Sequence, residues 1–139
     1  MRQGESRFRV RYVESDQMGV VHHSNYIIWF EQGRTDYMRE IGVDYADVER
    51  EGIFLPVAEL HIRYGAPARY GDEVRVLTRV ERVQSRAVTF AYEVFRADSD
   101  ELLASGYTRL VAMDASGVAR RLPDSIIARF ADVAHAPAS

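Results

Sequence analysis

Residues 24–42 read Ser24-Asn25-Tyr26-Ile27-Ile28-Trp29-Phe30-Glu31-Gln32-Gly33-Arg34-Thr35-Asp36-Tyr37-Met38-Arg39-Glu40-Ile41-Gly42. Tyr26, Phe30, Gly33, Tyr37 and Ile41 recur at helical spacing. That predicts one long helix, capped by Ser24 or Asn25 and stopped at Gly42. Ile27, Ile28 and Trp29 widen the apolar stripe nearly all the way round the first turns. A helix apolar on most sides is buried on most sides, so this one is expected to lie inside a wrapping sheet and to touch a second subunit. Gly33 in mid-helix costs roughly 1 kcal/mol relative to alanine; close approach of the helix backbone to the sheet is the expected compensation.

Outward from this helix the period changes. Upstream, Phe8 to Val13 predicts a short strand with Phe8, Val10 and Tyr12 on one face, broken by turn residues Asp16 to Gly19. Downstream, Asp44 is placed to cap a short helix through Glu51, ended by Gly52. Four strands with alternating apolar residues follow: Leu60, Ile62 and Tyr64; Val74, Val76, Thr78 and Val80; Val88, Phe90, Tyr92 and Val94; then Leu102 to Met113. Gly106 in the last marks a bulge or a close contact. Pro123 opens a short C-terminal helix through Phe130, and the tail His135 to Ser139 is expected to fray. A strand, a long helix, a short helix and four antiparallel strands make an α+β arrangement in one domain spanning residues 1–139. Its sheet edges call for protection, which pairing across a dimer would give.

Composition narrows the function. The 139 residues contain no cysteine, which excludes a disulfide framework, a thiolate metal site and a cysteine nucleophile. The formal net charge is -3, against general nucleic-acid binding but compatible with a small anionic ligand held by a few arginines. No apolar run approaches a membrane span, and Met1 to Arg7 has no signal-peptide core, so a cytoplasmic location is expected.

The chemistry is concentrated in Tyr12-Val13-Glu14-Ser15-Asp16-Gln17-Met18-Gly19-Val20-Val21-His22-His23-Ser24-Asn25-Tyr26. A carboxylate and paired histidines stand between a strand end and a helix start. Helix N-termini present unpaired N–H groups and the positive end of the helix dipole, which can polarise a carbonyl and hold an oxyanion. A carboxylate beside them can attack that carbonyl or activate a water, and Gly19 lets backbone pass close to a bound group. Each residue also has a plainer reading: Asp16 as a turn or cap residue, His22 and His23 as polar turn residues, Tyr12 as strand packing, Trp29 and Phe30 as core. The adjacent histidines point differently and lack a third ligand at helical spacing, so no metal is expected.

This stretch resembles the signature of the 4-hydroxybenzoyl-CoA thioesterase family, in particular its branch of short acyl-CoA thioesterases found with the Tol-Pal system. The match runs through Tyr12, Glu14-Ser15-Asp16, Gly19-Val20-Val21, His22-His23 and Tyr26. It continues through Phe30-Glu31, Gly33-Arg34-Thr35-Asp36-Tyr37, then Tyr64, Pro67 and Gly71-Asp72, spanning about Arg9 to Met113. Ser15 stands where the family has Thr or Cys, and Gln17-Met18 replace smaller residues, which alters the pocket entrance.

The resemblance implies a hotdog fold, an antiparallel sheet wrapped around one long central helix. It also implies a homodimer with composite sites assembling into a homotetramer. Asp16 matches the family's catalytic aspartate, His23 the position whose backbone N–H polarises the thioester carbonyl, and Tyr12 an accessory tyrosine. Gly19, Val20, Val21 and Tyr26 are expected to line the substrate site. The reaction implied is hydrolysis of acyl-CoA to free acid and CoA, with no cofactor beyond the CoA of the substrate. Phosphates of CoA call for arginine. Arg82 and Arg86, flanking Val83-Gln84-Ser85, match a nucleotide-contacting region of related enzymes, and Arg63 is a third candidate; a solvated charged turn is the alternative for each. Glu31 is an alternative helix carboxylate. A hotdog dehydratase or hydratase acting on acyl thioesters, and a non-catalytic acyl-CoA-binding protein, are the competing functions. The acyl group stays open, since Met18, Ile27, Phe54 and a partner subunit would shape its pocket; so does CoA against acyl-carrier protein.

Overall fold

The computed structural model describes residues 3–134; the tail His135 to Ser139 expected to fray lies outside the described residues. Five strands, β1 (Gln3–Arg9), β2 (Val57–Tyr64), β3 (Glu73–Val83), β4 (Ala87–Arg96) and β5 (Leu102–Val111), form one sheet in the order β1-β3-β4-β5-β2. All neighbouring strands are antiparallel. The helices are α1 (Asn25–Glu40), α2 (Tyr45–Arg50) and α3 (Asp124–Ala134). The sheet wraps α1 in the hotdog arrangement.

Alternation places the core. Val74, Val76, Thr78 and Val80 of β3 and Phe90, Tyr92 and Val94 of β4 are cross-strand neighbours and all are buried. Phe30 of α1 stacks on Tyr92 with ring centroids 4.3 Å apart and planes 7° from parallel. Gly33 lies one turn on. A Cβ there would meet Thr78 Oγ1 at 2.8 Å and Val76 Cγ1 at 2.9 Å, so the helix backbone rests on the sheet where glycine alone fits. Gly33→Ala should therefore lower stability by about 1–3 kcal/mol through overpacking, despite alanine's better helix propensity; urea unfolding checks it, and a stabilised variant would refute the close contact. α3 sits beside the end of α1, where Phe130 packs edge-on to Phe90 and Arg129 reaches the Ile41 carbonyl.

Several boundaries differ from expectation. The first strand ends at Arg9, and Tyr12–Glu14 forms a 3-10 turn with Tyr12 and Val13 exposed. The cause is Glu14, whose carboxylate accepts the Arg11 N–H at 2.7 Å and turns the chain away from β3. Ser24 already has helical angles and caps nothing with its side chain; His22 Nδ1 accepts the Ser24 N–H at 3.3 Å instead. Asp44 caps α2 as expected, through Ala46 N. β5 stops at Val111, with Met113 bridged to Phe54 and Ala119, and α3 continues past Phe130 to Ala134. In the single chain α1 is not buried on most sides: Ile27 and Ile28 are 40% and 50% exposed. Strand β2 is a sheet edge with Val57, Leu60 and Tyr64 exposed.

Candidate active site

Asp16 opens a tight hairpin. Gly19 N donates to Asp16 O, Asp16 N donates to Val20 O, and Ser15 bridges Val21. Gly19 has φ +79°, the left-handed conformation such a turn needs and glycine tolerates. The Asp16 carboxylate serves this turn with one oxygen: Oδ1 accepts from Met18 N at 2.8 Å and Val20 N at 3.4 Å. Among the described residues, Oδ2 has no partner. The turn reading and the catalytic reading are thus compatible, one oxygen for each. Asp16 lines an open cleft of about 570 Å³ with Tyr12, Ser15, Gln17, Gly19 and Tyr70. Tyr12 stands edge-on to Tyr70 there, centroids 5.6 Å apart.

The hairpin is strapped to residues 65–72. Val21 N donates to Ala68 O, Val20 bridges Arg69, Val10 N donates to Asp72 O, and Val10 O accepts from Gly71 N. Arg96 pairs with Asp72 and donates to Pro67 O at 2.9 Å, holding that loop from the sheet. Val21 is buried here. Tyr26 is buried too, its hydroxyl accepting the Ala68 N–H at 3.2 Å. Burial pushes the Tyr26 phenol up, so it stays neutral. In the single chain, then, Val21 and Tyr26 build the wall behind the site.

At the helix start, Asn25 N donates to His22 O, and among the described residues no acceptor meets the His23 N–H. His22 Nδ1, which accepts from Ser24 N, also lies 2.8 Å from Ser24 Oγ. The His22 and His23 rings lie 4.2 Å apart, and Tyr64 of the edge strand donates its hydroxyl to His23 O at 3.0 Å. Tyr64 packs edge-on to Tyr26, and Tyr26 to Trp29, joining the site to the core.

Glu14 and Tyr64 complete this frame, and sequence reasoning assigned neither a role in it. Tyr64 stood out as an alternating strand residue and, like Glu14, as one position of the family match. Glu14 is 3% exposed. Burial opposes its ionisation, but donors from Arg11 N, Trp29 Nε1 at 2.8 Å and the Arg11 guanidinium outweigh that and hold its pKa below the usual value. A lowered folded pKa stabilises the fold above the ordinary carboxylate range, and this is lost as pH falls through the folded value. Urea midpoints measured from pH 7 to pH 3 should fall for the wild type and fall less for Glu14→Gln; equal acid slopes would refute this.

The arginines are dispersed. Arg63 neighbours Tyr64 on β2 but projects to the other sheet face. Arg82 and Arg86 lie at the opposite end of the sheet. Strand β3 starts at Glu73, paired with Arg9, and reaches Arg82 nine residues later, roughly 30 Å away at 3.3 Å per residue. One chain therefore does not bring Arg82 and Arg86 to Asp16. Glu31 lines a separate cleft of about 440 Å³ between α1, α2 and the start of β2. Among the described residues, no group of three or more His, Asp or Glu could hold a metal ion.

Residues 10–130 match the model of a thioesterase-like superfamily. A Bacillus subtilis (strain 168) protein named as a candidate acyl-CoA thioesterase is 36% identical over 95 residues, 68% of this chain and 69% of that protein. A hypothetical protein from Thermus thermophilus has a solved structure with TM-score 0.87 and 42% identity, covering 94% of this chain and 98% of that one. A DHNA-CoA thioesterase from Staphylococcus aureus superposes with TM-score 0.82 at 36% identity, covering 86% of this chain and 80% of that one. These likenesses agree with the family expected from residues 12–26 without singling out its Tol-Pal-associated branch.

Proposed function

The chain belongs to the thioesterase-like superfamily, and from that membership we propose that it hydrolyses an acyl-CoA thioester to the free acid and CoA, with Asp16 as the central catalytic group. The observation that carries this reading is the divided carboxylate: Oδ1 is held by two backbone amides, Oδ2 has no partner among the described residues, and Asp16 lines the open cleft. Oδ2 takes a proton from an attacking water or attacks the carbonyl carbon itself. The His23 N–H, at the positive end of α1, receives the oxyanion of the tetrahedral intermediate. Collapse expels the CoA thiolate. Single turnover in ¹⁸O-water tests the covalent route: label appearing in Asp16 requires an Asp16 anhydride hydrolysed at the Asp16 carbonyl, whereas water attack at the acyl carbonyl labels the product acid.

The site is composite in this reading. Antiparallel pairing of β2 with β2 of a second copy would cover Leu60 and Ile27, and it would set each chain's Asp16 end beside the partner's opposite end, the end that carries Arg82 and Arg86. These two and Arg63 then serve the CoA phosphates, with Gly19, Val20 and Tyr12 at the thioester, and such dimers pair into a tetramer. Leu60→Lys should shift the sedimentation mass toward monomer and abolish activity together; an active monomer would overturn the composite site. No described helix is long and apolar enough to cross a membrane, and the absence of cysteine suits the reducing cytoplasm where we place the enzyme.

Thiol release from a panel of short, long and aromatic acyl-CoAs, followed by acyl-carrier-protein thioesters, tests the activity and names the acyl class. Turnover of any class supports hydrolysis. Binding without thiol release favours the non-catalytic carrier, and water addition to an enoyl thioester favours the hydratase.

A further inference from the structure

The buried carboxylate of Glu14 takes no part in the reaction above, yet it ties the turn before Asp16 to the first turns of α1. Oε1 accepts the Arg11 N–H at 2.7 Å and so shapes the 3-10 turn that carries Tyr12. Oε2 accepts Trp29 Nε1 at 2.8 Å, inside the first turns of α1. The Glu14 carbonyl accepts His22 N at 2.9 Å and the Asn25 amide at 2.9 Å, tying the helix start to the same residue. Asp16 follows two residues later. Trp29 is itself wedged between Phe8 of β1 and Tyr26, ring centroids 5.6 Å and 4.8 Å away, so the anchor point is fixed by core packing. A buried charge with its oxygens hydrogen-bonded is costly to rearrange, which gives the joint one geometry.

We propose that Glu14 is a positioning residue, which fixes the distance between the Asp16 carboxylate and the His23 N–H through its bond to Trp29. This rests on the thioesterase reading of the site. Attack and oxyanion binding need both groups at one carbonyl, and a misplacement of about 1 Å can cost a hundredfold in rate. CoA recognition lies elsewhere and is untouched. Loss of Glu14 therefore lowers kcat and leaves KM nearly unchanged.

The test is a cycle of Glu14→Gln, Asp16→Asn and the double variant, assayed by thiol release under conditions where all are folded. Glutamine keeps the shape and the Oε1 acceptor but sets an NH2 against the indole N–H. The expected result is a loss in kcat of roughly tenfold to a hundredfold for Glu14→Gln alone. In the Asp16→Asn background the same change should alter the residual rate less than about twofold, because the group being positioned is gone. Trp29→Phe, which removes the indole N–H together with part of the buried ring, should lower kcat at least as far, and its loss should not add to that of Glu14→Gln. A merely structural Glu14 would lower the rate by the same factor in both backgrounds, and that result overturns the proposal, as does full activity of Glu14→Gln. Trp29 is the single tryptophan, so its emission should shift in Glu14→Gln whatever the reaction. A wild type inactive on every thioester, with that shift present, would overturn the reaction assigned and this positioning role together, leaving Glu14 a structural tie; no shift would overturn the tie itself.

Discussion

Asp16→Asn is expected to lower thiol release by at least about a hundredfold, the scale of a lost general base or nucleophile, with thermal stability unchanged. The separation of the two effects follows from the two oxygens. Asparagine keeps Oδ1, so Met18 N and Val20 N retain their acceptor and the hairpin at Gly19 survives. Only Oδ2 is replaced, by an amide nitrogen that neither takes a proton nor attacks a carbonyl. Asp16→Ala removes both and should add a stability loss of about 1 kcal/mol, the usual cost of a lost side-chain cap. Steady-state kinetics beside a urea titration of both variants checks this. Full activity in Asp16→Asn would remove Asp16 from the mechanism, and a large stability loss there would mean that Oδ2 is structural too.

Gly106→Ala carries the largest expected effect on the fold, about 3 kcal/mol, the upper end of ordinary overpacking. Gly106 sits opposite Ile62 on one side and Tyr92 on the other. A Cβ would fall 2.0 Å from the His61 carbonyl oxygen. That atom is backbone of the paired edge strand, so no rotamer change relieves the clash and β2 must lift from β5. The register shifts lie at other positions, which makes Gly106 a close-contact residue and not a bulge. Loss of β2 also withdraws Tyr64 from His23. Urea unfolding should show the loss, and amide exchange should place it in β2. An unchanged midpoint would show that the two strands tolerate a wider separation.

What was legible beforehand is what short-range rules govern. The period of 3.6 in residues 24–42 and of 2 in the later strands depends only on the local chain, so α1 and the four strands could be placed, and Gly33 on the sheet followed from its cost in a helix. The turn at Asp16 and Gly19 is likewise local chemistry, and the match of residues 12–26 to a known motif carried the family. The tertiary structure decided the rest. Glu14 meets Trp29 across fifteen residues and Tyr64 meets His23 across forty-one, and no local pattern encodes such pairs, because they depend on how β1, α1 and β2 come together. The helix start shows the same limit: Asn25, one of its two cap candidates, donates its side-chain amide to the Glu14 carbonyl eleven residues back. Arg82 and Arg86 are apart from Asp16 for a related reason: a motif places residues along the chain, whereas the length and direction of β3 place them in space.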